Sequence, residues 1–86
     1  MDSYNLSFKK SAEKELRRVP KPYLEKILSK IANLAGQPRP TGTQMLRGDE
    51  QYYRLRQGDY RIVYEIDDTQ RTITIIKIGH RREVYD

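Results

Sequence analysis

Apolar and polar residues follow two rhythms along this chain. Tyr4-Asn5-Leu6-Ser7-Phe8 alternates with period two, which predicts a short strand. The period then lengthens. Ala12, Leu16 and Val19 stand at i, i+4 and i+7, so a helix is expected over roughly 8–19, with Ser7 as its N-cap and Pro20 as its stop. Pro22 suits the first turn of a second helix that starts near Lys21. Tyr23, Leu24, Ile27, Leu28, Ile31, Leu34 and Ala35 keep helical spacing up to Gly36, and Pro38 and Pro40 forbid a quick restart. The two helices should pair as a hairpin with one shared apolar side and a lysine-rich outer side.

Residues 37–50 read as a loop inside the domain, rich in Pro, Gly and Thr, with Met45 and Leu46 as a possible anchor. Period two then returns. Strands are expected over 52–57 and 60–66, joined at Gly58-Asp59, where Gly at the first central position suits a type II′ turn. A second hairpin turns at Asp67-Asp68-Thr69-Gln70 into a last strand over 72–78, ended by Gly79. The order is strand, helix, helix, three strands: an α+β fold, βααβββ, with the helices on one face of the antiparallel sheet. The chain's 86 residues suit one domain spanning 1–86, since neither half could bury a core alone.

Composition narrows the chemistry. Hydrophobic residues make up 36% of the chain, so the core is thin but well patterned. There is no cysteine, which excludes a disulfide framework and a thiol nucleophile. No apolar run approaches the roughly 20 residues of a membrane span, and Met1-Asp2-Ser3-Tyr4 lacks the head of a signal peptide. A cytoplasmic protein without membrane contact is expected. The lone histidine and scattered acids lack metal-ligand spacing, and no phosphate-binding glycine loop is present, so neither metal nor cofactor is expected.

The net charge of +5 is unevenly placed. Residues 1–46 hold nine basic residues against four acids, six of the nine being lysine; residues 47–86 hold eight of each, and seven of the basic eight are arginine. Arginine is favoured where a planar fork grips phosphate or carboxylate. Side-chain parity puts Arg54 and Arg56 on the face of their strand opposite Tyr53 and Leu55, and Arg61 on the face opposite Ile62 and Tyr64. Crowded guanidiniums repel unless carboxylates such as Glu65, or an anion, sit between them. The tail Gly79-His80-Arg81-Arg82-Glu83-Val84-Tyr85-Asp86 could fold along the same face.

At these residues the chain resembles a known family. Leu46-Arg47-Gly48, Tyr53-Arg54-Leu55-Arg56, the stretch from Gly58 to Tyr64 and Gly79-His80-Arg81-Arg82-Glu83-Val84-Tyr85 are similar to the RelE/ParE superfamily of toxins from bacterial and archaeal toxin–antitoxin pairs. The similarity spans essentially the whole chain and is nearest to the RelE branch. It implies a metal-independent endoribonuclease, an mRNA interferase, that cuts messages in the ribosomal A site. The ribose 2′-OH would attack the adjacent phosphate and leave 2′,3′-cyclic phosphate and 5′-OH ends. By resemblance Arg61 is the main phosphate clamp, Arg81 a second clamp, and Tyr85 the group that orients or activates the 2′-OH. Arg54 and Arg56 would bind substrate where some relatives carry lysine, but arginine keeps its proton, which leaves the general base open.

Histidine is the side chain type whose ordinary pKa lies nearest neutrality, which makes His80 a candidate acid or base, or else a strand-end histidine bonded to backbone. Tyr85 has a structural alternative as a cap on the sheet edge. Arg47 and Arg82 fit solvated or rRNA-facing roles. Tyr52, Tyr53, Tyr60 and Tyr64 fit core or rim positions better than base-stacking ones, and the helix lysines form a solvated face or contact rRNA phosphates. The resemblance further implies a RelB-like antitoxin partner, ribosome and mRNA as targets, and operator DNA bound only through the toxin–antitoxin complex. ParE relatives share the scaffold, so inhibition of DNA gyrase without RNA cleavage is the alternative function.

Overall fold

One sheet gathers strands from both ends of the chain. The computed structural model describes residues 3–46, 51–82 and 84. Their order is β1 (Asn5–Phe8), α1 (Lys10–Arg17), α2 (Lys21–Leu34), β2 (Gln44–Met45), β3 (Tyr52–Gln57), β4 (Tyr60–Asp67) and β5 (Thr72–His80). The strands lie in the order β1-β5-β4-β3-β2, with β1 parallel to β5 and every other pair antiparallel. The α+β arrangement matches the expectation, and the differences from it are local.

Ser7 does not cap α1. It is paired with Thr74 as part of β1, and the strand continues until the Lys9 N–H donates to the Ile75 carbonyl at 2.9 Å. The helix begins only after that tie, with Lys9 at the N-cap and no side-chain cap bond. Sheet pairing has won over a local cap. The 37–50 segment contains the strand β2, which pairs Gln44 with Arg54 and Met45 with Tyr53. Two residues are too few to show alternation, which is why this edge is invisible in the sequence. The end of β5 also differs: it runs through Gly79 to His80, pairing these residues with Arg61 and Tyr60.

A register shift lies between Val63 and Tyr64: Val63 faces Lys77 while Tyr64 faces Ile75. The extra residue on β5 is a bulge, and it switches which side chains face the core. Ile73 and Ile75 are buried before it, Ile78 after it. They pack with Ile62, Tyr64 and Ile66 against Ala12 and Val19 of the first helical segment and Ile27, Ile31 and Leu34 of α2. Beyond the end of β1, the bare edge of β5 is covered by α1: the Glu15 carboxylate accepts from Ile78 N–H at 2.9 Å and lies 3.3 Å from Lys77 Nζ.

The far end of the sheet is fastened by side chains. Arg39, in the loop after α2, donates to the Tyr53 hydroxyl at 3.1 Å and to Asp68 at 2.9 Å. The Tyr4 hydroxyl donates to the other Asp68 oxygen at 2.5 Å, and the Arg71 guanidinium lies 4.6 Å from the Tyr4 ring centre. The Tyr64 hydroxyl donates to the Pro38 carbonyl at 2.8 Å, which pins the same loop. Among the described residues no helix is long and apolar enough to cross a membrane.

Candidate active site

The β3–β4 turn organises the arginines. Gly58 has φ +60° and Asp59 does not share the positive sign, the backbone signature of the expected type II′ turn. The turn sets Arg56 directly across from Arg61 and Arg54 across from Val63. These positions share the sheet face away from the helices. Opposite Arg61 on its other side is Gly79, which brings no side chain to that face.

Arg61 does not project outward as parity alone suggests. It is 5% exposed, the buried charged residue of the described chain. Its Nη1 donates to the Gly58 carbonyl at 3.0 Å and to the Tyr60 carbonyl at 3.1 Å. A buried guanidinium needs such partners because desolvation penalises the charge. The bonds also fix the direction of the fork, so the turn aims the cation. Arg54 donates to the Gln44 side chain on β2, and Arg56 is exposed.

The chain leaving β5 is tied to the same turn. Arg81 N–H donates to the Asp59 carbonyl at 2.6 Å, and Arg81 Nε lies 3.8 Å from the Asp59 carboxylate. Arg81 and Arg82 are both exposed. Thus Arg56, Arg61 and Arg81 gather at one end of the sheet. Arg47 and Tyr85 lie outside the described residues.

His80 stands apart from this group. As the cross-strand partner of Tyr60 it faces the helix side of the sheet, while Arg61 and its partner Gly79 face the other. The expectation that the tail follows the arginine face therefore does not hold for His80, because β5 continues through it and parity decides its side. Its Nδ1 accepts from Arg82 N–H at 3.3 Å, so a neutral ring carries its proton on Nε2, 3.9 Å from Asp59. The ring meets Tyr60 edge-on at 5.7 Å. It lines a cleft of about 320 Å³ with Tyr23, Lys26, Gln57 and Asp59. Asp59 and Tyr23 do not stand out in the sequence pattern: Asp59 reads as a turn residue, and Tyr23 as one more apolar position of α2. No group of three or more His, Cys, Asp or Glu side chains suited to a metal occurs among the described residues.

Arg56, Arg61 and Arg81 thus stand near one turn, and guanidinium forks are suited to gripping phosphate. Residues 6–85 match the family described as ParE toxin of type II toxin–antitoxin system, parDE. The mRNA interferase toxin RelE of Escherichia coli is 32% identical over 87 aligned positions, covering 96% of this chain and 90% of that protein. Toxin RelG of Mycobacterium tuberculosis is 28% identical and covers 95% of both chains. Among solved structures, a chain of the archaeal RelE–RelB complex from Pyrococcus horikoshii superposes with a TM-score of 0.83 at 28% identity, covering 95% of this chain and 99% of that one. The isolated E. coli RelE toxin superposes with a TM-score of 0.81 at 28% identity, covering 91% of this chain and 84% of that one. The chain belongs to the RelE/ParE toxins of type II toxin–antitoxin systems, on the RelE branch.

Proposed function

We propose that this toxin is a ribosome-dependent endoribonuclease that cuts mRNA in the A site by attack of the ribose 2′-OH on the adjacent phosphate. The observation that carries the reading is the gathering of Arg56, Arg61 and Arg81 around the Gly58-Asp59 turn. In-line attack builds negative charge on the phosphorane oxygens, and preorganised guanidiniums stabilise that charge without reorganising. Arg61 is the best preorganised of them, being buried and held by two main-chain carbonyls. Arg81 is the second clamp, released from Asp59 as it turns to the phosphate. Arg54 and Arg56 bind the strand, and Arg47 and Arg82 contact rRNA.

Arginine holds its proton, so these groups stabilise charge and do not exchange protons. Resemblance assigns Tyr85 to the 2′-OH, as the group that orients or activates it. His80, also a candidate, faces away from Arg61 and is left to the helix-side cleft in this reading. The products are a 2′,3′-cyclic phosphate and a 5′-OH. Relatives named RelE are found in complexes with RelB, which supports an antitoxin of that type as partner of this chain, read here as one domain acting in the cytoplasm. Operator DNA is bound only through that complex.

The test is cleavage of a defined mRNA by purified toxin, with and without programmed ribosomes and with EDTA in the naked-RNA arm. Cuts confined to ribosomes, with 5′-OH and cyclic phosphate ends, are expected. The family description as ParE favours a second reading, inhibition of DNA gyrase without RNA cleavage. No cuts in either arm, from folded protein that still arrests growth, would move the assignment there and make supercoiling the next assay.

A further inference from the structure

On the helix side of the sheet, α2 and the β3–β4 turn enclose the 320 Å³ cleft that the arginine face does not use. Its wall is aromatic. Tyr23 is 53% exposed and lies 5.6 Å from the Tyr60 ring at a tilt of 40°. His80 closes the row edge-on to Tyr60. The rim is polar: Lys26, the Gln57 amide and Asp59, whose carboxylate lies 3.8 Å from Arg81 Nε, border this cleft, and Arg18 borders a second, of about 270 Å³, that shares Tyr60 and His80. The acid at the second rim, Glu15, is already bonded to the β5 edge. Exposed aromatic faces beside cations are what an unpaired nucleotide requires, since every base has a face to stack and a phosphate to neutralise. The cleft sits at the small end of the ligand-pocket range, roughly 300–1,000 Å³, which suits one nucleotide and not a helix of a partner.

We propose that the Tyr23–Tyr60–His80 cleft is a stacking site for an unpaired ribonucleotide that flanks the scissile phosphate, with Lys26 and Arg18 neutralising its backbone. The inference rests on the RNA-cleavage reading. The two sites share a wall: Gly58, whose carbonyl holds Arg61 on one face, lines the cleft on the other. A strand crossing the Gly58-Asp59 turn reaches both. Gln57 and Asp59 offer an amide and a carboxylate to a base edge or ribose hydroxyl, so the site contributes context preference as well as affinity.

The probe is a fluorescein-labelled, fully 2′-O-methylated octaribonucleotide, which cannot be cleaved, read by anisotropy at low salt with the full chain. Tyr23→Ala is expected to weaken binding about tenfold, within the range for loss of one stacked base, while Tyr23→Phe stays near the parent. The parent should bind an abasic version of the probe as weakly as Tyr23→Ala binds the intact one. Tyr23 is exposed, so neither change threatens the fold. Intact-probe binding by Tyr23→Ala equal to the parent overturns the proposal, as does equal affinity of the parent for abasic and intact probes, or no binding at all. Unchanged RNA binding with weakened affinity for a RelB-type antitoxin also overturns it and makes the cleft a protein-docking surface. A parent that binds through Tyr23 but cuts nothing on ribosomes leaves the cleft standing and sinks the nuclease reading alone.

Discussion

Arg61 is where burial and charge meet. At 5% exposure its guanidinium is held by carbonyls of its own turn, so its direction is set before any ligand arrives. Arg61→Lys keeps the charge and loses the fork. It should lower ribosome-dependent cleavage about 100- to 1,000-fold, the range for one missing transition-state donor, with far-UV circular dichroism unchanged. Full cleavage by this variant would remove Arg61 from the clamp. Titration at the opposite end of the sheet supplies a stability counterpart. Hydrogen bonds from Arg39 and then Tyr4 hold the Asp68 carboxyl below its usual range. Burial foremost pushes the Tyr64 phenol up, and the bond to Asp68 foremost raises Tyr4. A lowered acid stabilises above its unfolded pKa of about 3.9 and loses that contribution as pH falls. A raised phenol stabilises below about 10 and loses it as pH rises. Thermal melts should therefore flatten between these limits and fall on both sides. Asp68→Asn should blunt the acid limb, and Tyr64→Phe the alkaline limb; the latter also costs about 1–2 kcal/mol by leaving the Pro38 carbonyl without its donor.

Elements rather than residues decide which groups meet. Alternation along β3 and β4 is enough to bring Arg56 and Arg61 together, because cross-strand neighbours follow from the turn at Gly58-Asp59. The same alternation misleads at His80. Gly79 reads as a strand end, yet it is paired with Arg61, and one more paired residue puts His80 on the far face. The parallel pairing of β1 with β5 leaves no mark in the sequence either, since register is fixed by packing of Phe8 and the isoleucines and not by any turn. The turn offers a direct test of how an element serves the site. A Cβ at Gly58 meets nothing within 4 Å, so Gly58→Ala suffers from its φ of +60° and not from a clash. It should cost about 1–2 kcal/mol in denaturant melts. Its larger effect should be on cleavage, because shifting the Gly58 carbonyl re-aims Arg61. A fall in stability with unchanged cleavage on ribosomes would show that the turn does not aim the clamp.

Across the whole molecule, charge and chemistry are divided. Residues 1–46 hold the entire surplus of positive charge, on segments that include α1 and α2, while the arginine site lies within residues 47–86, which are neutral in sum. This division is visible in the sequence, because lysine and arginine segregate along the chain. That α2 and the arginine-bearing hairpin share the Gly58-Asp59 turn as a common wall is not, since it depends on how the helix lies against the sheet. Long-range attraction depends on the number of phosphates neutralised and is weakened by salt, whereas a buried fork acts at close range. The two can be separated. Lys9, Lys10 and Lys14 are exposed, so replacing all three by Gln should leave the fold intact. If the lysines reach rRNA, the slope of log affinity for ribosomes against log salt should fall by about 0.7–0.9 for each phosphate no longer neutralised. Cleavage at saturating toxin should stay near the parent. Arg61→Lys should do the reverse, keeping the slope and losing the cut. An unchanged slope in the triple variant would return the lysines to the role of a solvated helix face and assign ribosome binding to the arginine face.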